Sequence, residues 1–293
     1  MIDWSNKEEV LKMVKVNGWN LKYASSSLQN DKEVVMEAVQ KNGMALEWAS
    51  LKIKEDDNIA KMAIKENVWA YQFLPIKLKN NKKLALEIIK KDKNLIEFLP
   101  DDLKNDKEIA LVAVKENGNS IKYFSDKLKG NLEVVLEACS NDIYAFKWAS
   151  SEIKNDKNLV LELVKENSDI YVFISKNLRN DKEITLEAIK RNGELIQYTS
   201  PTLRNDKEVV LAAVKENGYS LKYSSPALQN NFEIVKVAVL NSKNSYKFAG
   251  SELKVKYPTV EKFIESIKEK TNQKGVSKEK PTRSRVRNKN NER

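Results

Sequence analysis

The sequence predicts an all-α fold. The expected architecture is an α-solenoid (superhelix) of ten 25-residue helix–turn–short-helix repeats, capped by a C-terminal helix and followed by a disordered basic tail. Three observations carry this. A 25-residue text recurs without insertion from Ser5 to Lys254. Its nineteenth column is aromatic in every copy: Tyr23, Trp48, Phe73, Phe98, Tyr123, Trp148, Phe173, Tyr198, Tyr223 and Phe248. Its twenty-fourth column is always Leu or Ile, and its second is always Asp or Asn, from Asn6 and Asp31 to Asn231.

Within a repeat the elements follow in order. In the ninth, Asp206 is placed to cap a helix, since its carboxylate can accept the free N–H groups of the first turn. Glu208 adds negative charge at the positive end of the helix dipole. Val209, Val210, Ala213 and Val214 then form one broad apolar face. Lys215 suits the negative end, and Asn217-Gly218 is expected to stop the helix through a left-handed glycine. Leu221 and Tyr223 belong to a second, shorter helical stretch. Ser225-Pro226 reads as a fresh N-cap with proline at the first helical position, leading to Leu228. Period-two alternation is absent, which argues against strands. A lone repeat has too few apolar side chains to fold, so neighbours must share faces.

The ends differ. Residues 1–4 form an N-terminal cap, with Ile2 and Trp4 expected to cover the open face of the first repeat. Residues 5–254 are the ten repeats. In residues 255–270, Tyr257-Pro258 interrupts and Thr259 to Lys270 makes an amphipathic capping helix, with Phe263, Ile264 and Ile267 on one side. Residues 271–293 hold eight basic and two acidic residues, with Val276 and Val286 their only aliphatics, and are expected to be disordered.

The recurring string N-D-K-E-(two aliphatics)-L-x-A-V-K-x-N-G-x-x-L-x-(aromatic)-A/S-S-x-x-L-K stands here as NDKEVVMEAVQKNGMALEWAS, Asn30 to Ser50, and as NDKEVVLAAVKENGYSLKYSS, Asn205 to Ser225. It resembles the repeats of domain of unknown function 4116. The resemblance covers nearly all of Ser5 to Lys254, a family unit corresponding to two of these repeats. That family has no established activity and occurs in protists, giant viruses and intracellular bacteria. The resemblance therefore implies an interaction role and no catalytic residues. The signatures decay over Glu55 to Val68 and Gly130 to Tyr144, where the least regular repeats are expected.

Composition narrows the function classes. The 293 residues carry a net charge of +10, no histidine and one cysteine. Without histidine there is no Ser-His-Asp or Cys-His pair and no histidine metal ligand. One cysteine excludes an internal disulfide or a cysteine-rich zinc site. Cys139 falls in a column otherwise filled by Val or Ile, so it reads as a core residue. No glycine pattern of a nucleotide-binding loop occurs. The expectation is a non-enzyme with no catalytic residue, cofactor or metal. No apolar run is long enough to span a membrane. MIDWSNKEEV lacks the basic start and apolar stretch of a signal peptide, so a cytoplasmic chain is expected, cellular or viral, with the nucleus left open. A monomer is expected.

Four columns carry two readings each. The aromatic column can be a stacking platform for bases or a peptide; its place beside aliphatic columns favours core packing. The asparagines Asn17, Asn42, Asn67, Asn117, Asn167, Asn192 and Asn217, with Asp92 and Asp142 in the same column, can be local caps. They can also form an amide ladder for an extended peptide backbone. The lysines Lys15, Lys65, Lys90, Lys115, Lys165, Lys190 and Lys215 form a column at the helix ends. A second basic column holds Lys54, Lys79, Lys104, Lys129, Lys154, Arg179, Arg204 and Lys254. Either can form a stripe for phosphate or acidic partners, or serve the helix dipoles and solubility.

Two functions follow, with an enzyme using only Asp, Glu and Lys as a third alternative that no motif supports. The first is a scaffold that binds a protein or extended peptide on the solenoid surface, using the asparagine and lysine columns. The second is non-specific association with nucleic acid or another acidic surface, led by a tail rich in Arg283, Arg285, Arg287 and Lys289. The tail's share of the charge is +6 and that of residues 255–270 is +1, which leaves residues 1–254 at only +3.

Overall fold

Ten-residue helices recur at 25-residue intervals because each begins at an Asp or Asn that caps it. The computed structural model describes residues 2–276. The long helices are Lys7–Val16, Lys32–Lys41, Asp57–Glu66, Lys82–Lys91, Lys107–Glu116, Leu132–Asn141, Lys157–Glu166, Lys182–Ile189, Lys207–Glu216 and Phe232–Asn241. In repeat 9 both Glu208 and Val209 donate their backbone N–H to Asp206 Oδ1, at 2.9 and 3.1 Å. After each long helix comes a six-residue 3₁₀ turn, such as Gly218–Tyr223, then a short helix, such as Pro226–Gln229. The Ser225 hydroxyl accepts from Leu228 N–H at 3.3 Å, so the serine-proline start acts as expected. The fold is an all-α repeat solenoid.

The described residues divide into two units. One runs to Val160 and includes Phe173–Ser175; the other takes Leu161–Val172 and the residues from Lys176. In each, long helices pack side by side in one layer and 3₁₀ turns pack side by side in a second. The core lies between these layers. Long helices contribute residues such as Val34, Val35, Ala38 and Val39 in the first unit, and Val209, Val210, Ala213 and Val214 in the second. The turns contribute their seventeenth- and twentieth-column residues, for example Leu46 with Ala49 and Leu221 with Ser224, buried in every repeat. Three residues make one turn of a 3₁₀ helix, so these two columns share its inner side.

The four letters of the recurring NDKE each have a separate task. The asparagine of the first column accepts from a serine twenty residues on: Ser50 Oγ to Asn30 at 2.6 Å, Ser125 to Asn105 at 2.7 Å, Ser225 to Asn205 at 2.5 Å. The aspartate caps the helix. The lysine reaches the aspartate of the next repeat: Lys7 to Asp31 at 2.8 Å, Lys32 to Asp56 at 2.6 Å, Lys82 to Asp106 at 2.7 Å, Lys182 to Asp206 at 2.8 Å. The glutamate is that lysine's second partner, as Glu33 is for Lys7 at 3.0 Å and Glu208 for Lys182 at 2.8 Å. A backbone bond adds to each step, with Ser50 N–H donating to Gln29 O and Ser225 N–H to Arg204 O, both at 2.9 Å.

Several expectations need correction. No described glycine adopts a left-handed backbone. The long helix ends instead at an extended asparagine, with Asn217 at φ −137° and ψ 110°. Gly18, Gly43, Gly118 and Gly218 are needed because a Cβ there would overlap the carbonyl oxygen of Ala38, Ala63, Ala138 and Ala238, twenty residues on. Glycine permits the next long helix to approach, and alanine on that helix keeps the contact close. The weak-signature repeats are regular, with long helices Asp57–Glu66 and Leu132–Asn141. Irregularity falls in repeats 7 and 8, where the short helix becomes a 3₁₀ turn, Leu178–Asn180, and the long helix shortens to Lys182–Ile189.

Both ends are capped, with one departure from expectation at each. Ile2 is exposed. Trp4 does the covering: its ring lies 5.1 Å from that of Tyr23, and its carbonyl accepts from Ser25 N–H at 2.9 Å. The C-terminal helix runs Val260–Val276, past the expected Lys270 boundary and into the segment assigned to the tail. Phe263 and Ile267 are buried against repeat 10, and Ile264 packs on the same cluster half-buried. The expectation of disorder over residues 277–293 lies outside the described residues, as do Arg283, Arg285, Arg287 and Lys289.

Candidate interaction surface

The aromatic column lies at the rim of the core, packed against it and partly open to the surface. Because the seventeenth and twentieth columns occupy the inner side of each 3₁₀ turn, the eighteenth and nineteenth are left outside. Tyr23 is 52% exposed, Trp148 and Tyr198 are also exposed, and the other seven rings of the column are half-buried. The inward residue is two positions earlier: Leu21, Leu46, Tyr71, Ile96, Ile121, Phe146, Tyr171, Ile196, Leu221 and Tyr246 are all buried. Burial pushes the Tyr71 hydroxyl well above the ordinary phenol range and the Tyr171 hydroxyl up to about 12. Tyr71 donates to Lys79 O at 3.0 Å.

A signal for this placement was present in the sequence. The residue before the nineteenth column is usually Lys, Glu or Gln.

The rings stand in a patterned environment. The fifteenth column of one repeat meets the nineteenth of the next within each unit. Trp69 and Phe98 have centroids 6.1 Å apart, Tyr144 and Phe173 5.8 Å, Tyr219 and Phe248 6.1 Å, all edge to face. In five repeats the preceding lysine lies over the ring: Lys22 on Tyr23, Lys122 on Tyr123 and Lys147 on Trp148 in one unit, Lys222 on Tyr223 and Lys247 on Phe248 in the other. The separations are 4.5, 4.6, 5.3, 4.5 and 4.9 Å, within cation–π range.

The asparagine column borders this surface with its oxygens already engaged. Asn17, Asn42, Asn67, Asn167, Asn192 and Asn217 accept the backbone N–H two residues on, at 2.9–3.1 Å, and so cap the 3₁₀ turn. Asp92 and Asp142 do the same at 2.9 Å. The Asn117 side chain makes no such bond. The amide nitrogen of Asn217 reaches Glu194 at 3.3 Å. The geometry makes this column a set of caps for the 3₁₀ turns, Asn117 excepted.

The two basic columns separate. Lys65, Lys90, Lys115, Lys165, Lys190 and Lys215 are exposed. Lys190 pairs with Glu187 at 2.6 Å, and Lys15 approaches Glu37 at 3.8 Å. In the second column the side chain folds back onto the carbonyl seven residues earlier. Lys54 donates to Glu47 O, Lys79 to Gln72 O, Lys104 to Glu97 O, Lys154 to Lys147 O and Lys254 to Lys247 O, at 2.6–2.8 Å. Burial holds Lys54, Lys79 and Lys154 below the ordinary lysine range. These lysines cap the turn and form no outward stripe.

Other chemistry is sparse. Cys139 is buried, and burial together with the Asp142 carboxylate pushes its thiol up to about 12. Hollows are shallow, the one at Lys243, Asn244, Tyr246, Lys247 and Pro258–Val260 being about 370 Å³ and open. Among the described residues there is no group of Cys, Asp or Glu able to hold a metal ion, and no helix long and apolar enough to cross a membrane.

The family described as Domain of unknown function (DUF4116) matches seven stretches of the chain: residues 6–54, 39–79, 56–104, 81–129, 131–179, 181–229 and 206–254. A stretch such as 6–54 spans two of the 25-residue repeats. No curated protein matches the chain.

Proposed function

This chain belongs to the DUF4116 repeat family, and on that premise we propose that it is a non-enzymatic scaffold that binds a protein or extended peptide on the layer of 3₁₀ turns. The observation that supports this reading is the aromatic column, kept in all ten repeats at the rim of the core with each ring partly or fully open to the surface. Packing does not require a large ring at the surface, whereas Tyr, Trp and Phe are the residues that anchor protein interfaces. The asparagine and second lysine columns enter as structural caps. The remaining expectations from the sequence, a cytoplasmic monomer without cofactor, belong to the same reading.

The test is capture by the full chain, compared with a Tyr198→Ala/Tyr223→Ala variant that keeps its helical circular dichroism. Partners enriched by the native chain are expected to fall at least about tenfold with the variant, a loss of roughly 1.4 kcal/mol. An identical set of partners on both, or none on either, overturns the reading.

A further inference from the structure

The turns of repeats 9 and 10, Gly218–Tyr223 and Lys243–Phe248, pack side by side and differ in charge from the turn before them, Gly193–Tyr198. Together they hold three lysines, Lys222, Lys243 and Lys247, and no carboxylate. The preceding turn, Gly193–Tyr198, contributes Glu194, which the Asn217 amide engages. No carboxylate among the described residues lies within ion-pair distance of these three lysines. That contrasts with the lysines of the NDKE motif in the same unit, where Lys182 holds both Asp206 and Glu208. Two of the three rest on aromatic rings instead. Lys222 sits 4.5 Å from the Tyr223 centroid, and Lys247 lies 4.9 Å from that of Phe248 and 5.2 Å from that of Tyr219.

We propose that this lysine–aromatic patch of repeats 9 and 10 is the docking surface for an acidic, extended peptide segment carrying apolar side chains. The inference rests on the scaffold reading and names the chemistry of the partner. Charge complementarity asks for carboxylates, because three ammonium groups share these two turns with no carboxylate of their own, and the nearby Glu194 acts on Lys222 only from beyond ion-pair distance. Ring geometry argues against stacked bases. Tyr219 and Phe248 meet edge to face at 70°, and lysines cover the ring faces that a base would need. Ring edges remain for apolar side chains. Alternating carboxylates of a peptide can draw the lysines off the rings and pair with them.

The experiment is fluorescence anisotropy on the full chain with a labelled peptide repeating Glu-Glu-Phe, its Gln-Gln-Phe counterpart, and oligothymidylate of matching length. The acidic peptide is expected to bind at least about tenfold more tightly than the glutamine form. Lys222→Glu with Lys247→Glu is expected to remove that advantage, and Lys52→Glu with Lys127→Glu, exposed lysines elsewhere, to leave it. Equal binding of the two peptides through the same patch overturns the charge inference and leaves the scaffold reading standing. Acidic binding unchanged by the double variant assigns it to another basic region and overturns the patch. Oligothymidylate preferred, and lost in the double variant, replaces the peptide with nucleic acid. No peptide bound, together with no partner captured by the aromatic surface, removes both readings.

Discussion

At the scale of single residues, the glycines show how one missing atom sets the spacing of repeats. Gly43→Ala would drive a methyl group into the Ala63 carbonyl of the next long helix, a backbone atom that cannot swing aside. The expected cost is about 1–3 kcal/mol, read by chemical denaturation. Gly250 gives the opposite case. It stands where other repeats place the serine that bonds the first-column asparagine, and the Asn230 Oδ1 atom it faces is buried without a partner. Gly250→Ser, with Asn230 turned aside as its counterparts are, is expected to stabilise repeat 10 by about 1 kcal/mol in thermal melts. Cys139 is expected to resist thiol reagents at neutral pH until the chain unfolds, since its pKa is pushed up to about 12. Of these residues the sequence alone made only Cys139 legible. Asn-Gly reads the same whether glycine is needed for a left-handed turn or for a close neighbour, and only the packing partner twenty residues away separates the two.

At the scale of elements, helix starts were legible and helix surroundings were not. Capping is local: an Asp or Asn oxygen and the N–H groups two or three residues on lie within one turn, so the string NDKE announces itself. What the lysine of NDKE does is not local, because its partner is the Asp of the following repeat. The aromatic column was read as core from its place beside aliphatic columns, whereas a 3₁₀ turn repeats every three residues and sets the seventeenth and twentieth columns inside, leaving the nineteenth at the rim. The Lys–Asp links have a pH signature. Burial raises the carboxyls of Asp31, Asp106 and Asp206, but hydrogen bonds from Lys7, Lys82 and Lys182 and from backbone N–H groups outweigh it and leave them below the ordinary value. A carboxyl depressed in the folded state stabilises above its unfolded pKa of about 3.9 and loses that contribution as pH falls through the folded value. Thermal stability is therefore expected to hold from about pH 6 to 4 and to decline below. A profile flat down to pH 2 would show the links to be without weight.

At the scale of the whole molecule, the closing helix is the part with no repeat to imitate. Phe263 fills the face that an eleventh repeat would cover, meeting Phe232, Tyr246 and Tyr257 at 5.0–5.5 Å. Phe263→Ala is expected to cost about 3–5 kcal/mol. Contacts in such a fold run between nearest neighbours, so hydrogen exchange should rise in repeats 9 and 10 and little in repeats 1 to 4. The same links recur at fixed offsets wherever their residues are present: Lys to Asp twenty-four residues on, as from Lys7 to Asp31, glycine to alanine twenty on, as from Gly43 to Ala63, and serine N–H to the carbonyl twenty-one back, as from Ser50 to Gln29. Those fixed offsets have a genetic consequence. Unequal crossing-over that removes or duplicates a block of 25 codons in phase joins a donor to the acceptor it would have met anyway. A block out of phase by one codon breaks all three links at the junction. Gene length in such a lineage can thus drift in quanta of one repeat, with the aromatic surface lengthened or shortened by one ring each time.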